Sequence, residues 1–246
     1  EIIFFPTLAY KKDNQWHITI HGWIYEPEFA GELRQMFRRA TGVRDDDDEN
    51  PGIFTQRSAA FLVDNERGKR IKVNIGDQHY AIGNRSAPNG HFSGILKIDI
   101  QTINRYEINS VLEYQAVLPS NDTRIFSGKV FLVSDQGTSI LSDIDDTIKI
   151  SDVKDKMELI RNTFFRPFRA APGMADYYKL LWNIPDVTFH YVSASPWQLY
   201  QPLEAFRREA GFPEGSFHMK LFRWKDKSIA SIFASPIEYK LNIMIN

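Results

Sequence analysis

The change of hydrophobic rhythm around Asp135-Gln136-Gly137 constrains this chain more than any other feature. Before it, from residue 2 to about 134, short β-rich runs alternate apolar and polar residues and are separated by turn chemistry, as at 16–21, 70–75, 94–100, 111–118 and 128–133. Such runs predict an antiparallel sandwich or barrel over residues 1–136, interrupted by one helix at 28–40 where Phe29, Leu33, Met36 and Phe37 fall near helical spacing. The acidic run 45–49 and Asn50-Pro51-Gly52 then read as an exposed loop; the acids lack the spaced oxygens and glycine of a calcium loop and read as a solvated turn. After Gly137 the pattern turns to strand, helix, strand, helix: strands at 138–141 and 187–192, helices at 174–182 and 196–211, the last stopped by Gly211-Phe212-Pro213. This is the grammar of an α/β, Rossmann-like domain over residues 137–246, so the chain as a whole reads as α+β.

Composition narrows the function classes. Thirty Lys and Arg stand against 31 Asp and Glu, so no global charge draws the protein to nucleic acid, and any anion site has to be local. The absence of Cys removes disulfides, thiolate nucleophiles and Cys-ligated zinc while leaving the compartment open. No apolar stretch approaches the roughly 20 residues that cross a bilayer, so contact with a membrane is expected to be peripheral. The chain begins at Glu1 rather than Met, which a removed leader, and hence export, explains as well as a fragment does.

The chemistry is concentrated at Ile140-Leu141-Ser142-Asp143-Ile144-Asp145-Asp146-Thr147-Ile148, an apolar strand opening into three carboxylates. Like charges this close repel and raise one another's pKa, so the cluster calls for a neighbouring cation or for one acid kept protonated. A D-x-D-x-T arrangement at the C-terminal end of a strand in an open sheet meets both needs where such sheets bind ligands.

Asp143, Asp145 and Thr147 resemble the first motif of the haloacid-dehalogenase-like phosphatases. The wider segment 141–152, with Tyr191-Val192-Ser193-Ala194-Ser195-Pro196-Trp197 and His218-Met219-Lys220-Leu221-Phe222-Arg223-Trp224, is similar to the actin-patch-type phosphatidate phosphatases in particular. That resemblance covers most of the second half, and the first half resembles the β-rich domain that precedes the catalytic domain in such proteins. It implies a haloacid-dehalogenase-like domain that hydrolyses phosphatidate, an anionic phospholipid, to diacylglycerol and phosphate through an aspartyl-phosphate. Asp143 is then the nucleophile, and Mg²⁺ bridges its carboxylate and a phosphoryl oxygen, with an oxygen near Asp145 as the other protein ligand. Asp145 is the acid that protonates the leaving alkoxide and the base that activates water, and Thr147 fixes the loop through its hydroxyl. Asp146 is either a partner of the metal's ligands or a helix-starting acid.

Ser193 closes the second strand, where a hydroxyl and the amides of a helix start hold a phosphoryl oxygen, and it resembles the second motif. Ser195-Pro196 reads as an N-cap followed by a first-turn proline. The phosphate-balancing lysine of the family matches Lys240 in Ser235-Pro236-Ile237-Glu238-Tyr239-Lys240; Lys220 and Lys225 read as a solvated basic stretch. Only residues 241–246 follow, so the family's acidic G-D-x-G-like metal motif is missing and the domain reads as incomplete at its C-terminus. The rival reading is therefore a binding module that keeps the phosphate cradle and recruits a membrane or protein partner. A serine hydrolase is disfavoured, since Ser193 lacks the flanking glycines of a nucleophile elbow.

Two further segments have competing readings. Phe164, Arg166, Phe168 and Arg169 interleave aromatics with cations, as a lipid-resting insertion that guides an anionic head group would, and as a core-facing connector with exposed arginines would. His17 and His21, four apart on a strand, decorate one face, and His190 reads as a core histidine.

Overall fold

The computed structural model describes residues 1–28, 31–43 and 50–221; the acidic run 45–49 lies outside them. In chain order the elements are β1 (Ile2–Phe5), β2 (Thr7–Lys12), β3 (Gln15–Glu26), α1 (Gly31–Thr41), α2 (Pro51–Ala59), β4 (Asp64–Asn65), β5 (Lys72–Ile75), β6 (Gln78–Ala81) and β7 (His91–Asp99). There follow α3 (Ile100–Tyr106), β8 (Glu107–Ile108), β9 (Val111–Ala116), β10 (Ser127–Leu132), β11 (Thr138–Asp143), α4 (Lys156–Phe164), α5 (Met174–Trp182), β12 (Val187–Pro196), α6 (Tyr200–Glu209) and β13 (Gly215–Lys220). The fold is α+β. It divides into two compact units, one of residues 1–26, 64–139 and 215–217, the other of 27–63, 140–214 and the described residues from His218.

The first unit is a mixed sheet in the order β1-β3-β2-β10-β9-β5-β6, with β4 and β7 also on β3 and β8 on β9. Its pairs are antiparallel except β10 with β2. Strict alternation fixes the register of β3 on β7: Trp16, Ile18 and Ile20 all face the core, opposite Ile98, Leu96 and Gly94. Gly22 is needed where it stands, because a Cβ there would lie 2.4 Å from the Phe92 ring and 2.6 Å from the Ile3 carbonyl. Two-residue turns at Asp13-Asn14 and Asn109-Ser110, all four with positive φ, match the right-handed twist of the strands they join.

The second unit contains most of the sheet β11-β12-β13 and, among the described residues, the helices α1, α2, α4, α5 and α6. Asn50-Pro51-Gly52 does not close a loop as expected; it starts α2. The Asn50 side chain accepts the amides of Gly52 and Ile53, and a first-turn proline suits the geometry. The helices α1 and α2 belong to this unit and carry aromatic packing within it. Phe37 and Phe61 pack against Phe164, and Phe54 stacks on Phe165 at 4.9 Å. Phe164 is 0% exposed, so its expected contact with a lipid surface is overturned: it is a core residue at the end of α4. No described helix is long and apolar enough to cross a membrane.

Candidate active site

The strand β11 ends at Asp143, and its last turn is held by the Ser142 hydroxyl, which donates to the Asp143 carbonyl at 2.7 Å and lies 2.8 Å from the buried Tyr178 hydroxyl. The Ile144 amide donates to the Asp143 carboxylate at 2.8 Å, so the side chain is oriented by its own backbone. The chain then folds into a tight loop in which Thr147, Ile148 and Lys149 all donate their amides to the Ile144 carbonyl.

Asp146 closes that loop. Its carboxylate accepts the amides of Ser151, Asp152 and Val153 at 2.7–2.8 Å from a left-handed backbone, φ 55°. Burial works against its charge, yet the amides of Val153, Ser151 and Asp152 hold the carboxyl below its ordinary range. It caps this loop rather than starting a helix, and the Thr147 hydroxyl has no partner among the described residues.

Asp145 is the centre of the site. One carboxylate oxygen, Oδ1, accepts from Lys149 Nζ at 2.9 Å and from the Ser151 hydroxyl at 2.7 Å. The other, Oδ2, accepts from the Ser193 hydroxyl at 3.0 Å and the Ser195 hydroxyl at 3.2 Å. Ser193 Oγ in turn accepts the Ser195 amide at 3.0 Å, which leaves its single proton for Asp145. Desolvation favours the neutral acid, but the charge of Lys149 and the hydrogen bonds of Lys149, Ser151 and Ser193 outweigh it and keep the carboxyl below the usual range. Lys149 is 2% exposed, and its ammonium also donates to Ser151 Oγ and sits 4.9 Å from the centre of the Phe168 ring.

The structure therefore brings Asp145 and Ser193 into contact across 48 residues of sequence, with Asp143 two residues before Asp145 on the strand end. Ser195 is not an N-cap: β12 runs on through Pro196, a 3-10 turn at Trp197–Leu199 follows without a side-chain cap, and the Ser195 hydroxyl is spent on Asp145. Lys149 and Ser151 were missed altogether. A signal existed in the alternation Ile148-Lys149-Ile150-Ser151, where polar residues share one side of a segment directly after the acids. Arg166 is taken up by Glu158 at 2.6 Å and Asn162 at 3.3 Å, Arg169 is exposed, and Phe168 lies under Arg57 and edge-on to Phe206. Lys225 and Lys240 lie outside the described residues.

For a hard cation such as Mg²⁺ the chemistry of the donors is mixed. The Asp143 carboxylate and main-chain oxygens near Asp145 are of the right kind, and Mg²⁺ commonly binds through one or two carboxylates plus substrate phosphate. The Asp145 carboxylate is not available, since both oxygens are already filled by Lys149 and three serines. Among the described residues no group of three or more His, Asp or Glu gathers to hold an ion without substrate.

Residues 138–246 match the family model described as phosphatidate phosphatase APP1, catalytic domain. Over this segment the chain is similar to that family. Among curated proteins, the phosphatidate phosphatase APP1 of Saccharomyces cerevisiae is 33% identical over 117 residues, 46% of this chain and 19% of the relative. An uncharacterized protein of Schizosaccharomyces pombe is 29% identical over 113 residues, 45% of this chain and 18% of the relative. The chain thus spans less than a fifth of the length of the curated relatives it matches. The APP1-type segment starts at the first residue of β11 and includes Asp143, Asp145, Lys149, Ser151, Ser193 and Ser195.

Proposed function

We propose that this chain is a phosphatidate phosphatase of haloacid-dehalogenase type, with a Rossmann-like catalytic core, that converts phosphatidate to diacylglycerol and phosphate. The observation that carries the reading is the Ser193 hydroxyl on Asp145 Oδ2: two separate strand ends converge on one carboxylate beside a second, Asp143. A catalytic acid and a nucleophile two residues apart on a strand end is the arrangement that an in-line attack on phosphorus and protonation of the leaving oxygen require.

Asp143 attacks phosphorus and forms the aspartyl-phosphate. Asp145 protonates the departing glycerol oxygen and then takes a proton from water. Lys149 and the serines favour the carboxylate form of Asp145 at rest, which suits the second half-reaction. In the first half-reaction the incoming phosphoryl dianion opposes Lys149 and raises the affinity of Asp145 for a proton. Thr147 and Lys240 are assigned to the phosphoryl oxygens, and Thr147 has an uncommitted hydroxyl among the described residues to offer; Ser193 joins them only by turning its one proton away from Asp145. Mg²⁺, held by Asp143 and a main-chain oxygen near Asp145, would supply the charge that lets two anions approach. The substrate makes the enzyme peripheral to a membrane, with the exposed Arg169 the remaining candidate for contact and Phe168 taken up by Arg57, Lys149 and Phe206.

Phosphate release from phosphatidate in mixed micelles, with and without Mg²⁺, tests this against a soluble aryl phosphate. Loss of turnover in Asp143→Asn supports the phosphatase. A folded wild-type chain that binds phosphatidate vesicles, releases no phosphate and binds equally well as Asp143→Asn would establish the recruiting module instead.

A further inference from the structure

Arg57 stands out among the buried cations of the second unit. Arg207, comparably buried, is neutralised by Glu204 through two hydrogen bonds of 2.7 Å. Arg57, 8% exposed, has no carboxylate partner among the described residues; its Nη1 donates to the carbonyls of Thr163 at 2.6 Å and Arg166 at 2.9 Å. Its guanidinium carbon lies 3.6 Å from the centre of the Phe168 ring, van der Waals contact with the ring face. Burial draws the guanidinium down to about 10, a measure of what it costs to keep this charge here. A Met or Leu would fill the same space without that cost, so a purely space-filling role does not account for the arginine.

The same ring touches the active site. Phe168 lies 4.9 Å from Lys149 Nζ, and Lys149 bonds Asp145. Of the three ammonium hydrogens, two are directed by Asp145 and Ser151, and the ring provides a partner that attracts the cation without accepting its proton. Arg57 fixes this ring twice, by stacking on its face and by clamping the carbonyls of the turn 163–166 that leads to it.

We infer that Arg57, supplied by α2 from outside the segment that matches the APP1 catalytic family, is a positioning residue that holds Asp145 in place through Phe168 and Lys149. The inference rests on the phosphatase reading for its kinetic consequence. The helices α1 and α2 are then part of the catalytic unit, completing a site whose reacting groups all come from the second half of the sequence.

The test uses the whole chain and both substrates. Arg57→Met should lower kcat roughly 10-fold on the aryl phosphate and on phosphatidate alike, with KM within about 2-fold, because geometry at the reacting group is lost rather than substrate affinity. In a Lys149→Met background the same change should cost nothing further, since the link it acts through is gone. Arg39→Met, an exposed arginine on α1, serves as the control. Unchanged kcat in a folded Arg57→Met protein, or losses that simply multiply in the double variant, would overturn the inference. If Arg57→Met fails to fold, Phe168→Leu removes the ring and carries the same expectations.

An independent readout is the side-chain ammonium signal of Lys149 in a ¹⁵N-lysine-labelled chain, assigned by its disappearance in Lys149→Met. It should move in Arg57→Met and in Phe168→Leu and stay in Arg39→Met; a signal unmoved by either variant refutes the link. A signal that moves in these variants while the wild-type chain hydrolyses neither substrate would remove the phosphatase reading and leave the coupling standing.

Discussion

In the β unit, buried polar groups stand apart from one another. The Thr7 hydroxyl donates to the Thr19 carbonyl, His17 lies against the Tyr10 ring, and His91 meets His21 at 3.2 Å between Phe5 and Trp23. In the second unit, Lys149, Ser151, Ser193 and Ser195 all converge on one carboxylate. Isolated polar groups satisfy a local backbone or ring and are individually replaceable. A convergent set holds one group in one charge state and one orientation, and each member's loss is felt by the others. The contrast locates chemistry by how polar burial is connected rather than by how much of it there is.

The sharpest way to break this contrast is through turnover. Asp143→Asn should cut phosphate release by about 10⁴-fold or more while leaving the fold intact, since the nucleophile itself is removed; residual activity within tenfold of wild type would mean that the convergent cluster serves something else. Lys149→Met should destabilise the protein by about 3–5 kcal/mol in urea unfolding, because a buried carboxylate loses its cation. Thr7→Val, its counterpart in the β unit, should cost only about 1 kcal/mol. Equal costs would erase the distinction between connected and isolated burial.

Acid should then act on His91, which His21 meets at 3.2 Å. Burial lowers His91 to about 4, while the unfolded chain takes up a proton near 6.5. Between those values the unfolded state binds more protons, so this contribution is complete above pH 6.5 and is lost as pH falls toward 4, about 3 kcal/mol in all. His218, also lowered to about 4 by burial, works in the same window, so His91→Gln should flatten the pH dependence in part, and an unchanged slope would show that His91 is protonated in the native state. The smallest effect is expected at Asn50→Ala, which removes the cap of α2 and should cost about 1 kcal/mol by thermal unfolding.

The sequence was legible where the pattern is local. Alternation at Trp16, Ile18 and Ile20 marks β3, and the exit of an apolar strand into Asp143 and Asp145 marks the site. Helix 174–182 is read to the residue, because its apolar spacing lies between Gly173 and a polar stop at Asn183. What failed was ambiguous chemistry. Ser195-Pro196 satisfies the rules for a helix start, yet a strand reaching through Pro196 turns the same hydroxyl to Asp145. Asn50-Pro51-Gly52 satisfies the rules for a turn and begins a helix. Lys149 and Ser151 share one side of the alternation 148–151, a signal too short to tell a buried ion pair from an exposed edge, and the place of Arg57 beside Phe168 depends on a contact across 111 residues of sequence that no local rule contains.

The aromatic packing of α1 and α2 also bears on how this protein behaves when it is cut. The family match begins at residue 138, but Phe37, Phe54 and Phe61, which cover Phe164 and Phe165, lie more than seventy residues earlier. A chain cleaved at the family boundary would leave two adjacent phenylalanine rings facing water, a surface that invites self-association. Ancestry and solubility therefore draw the edge of this domain at different places.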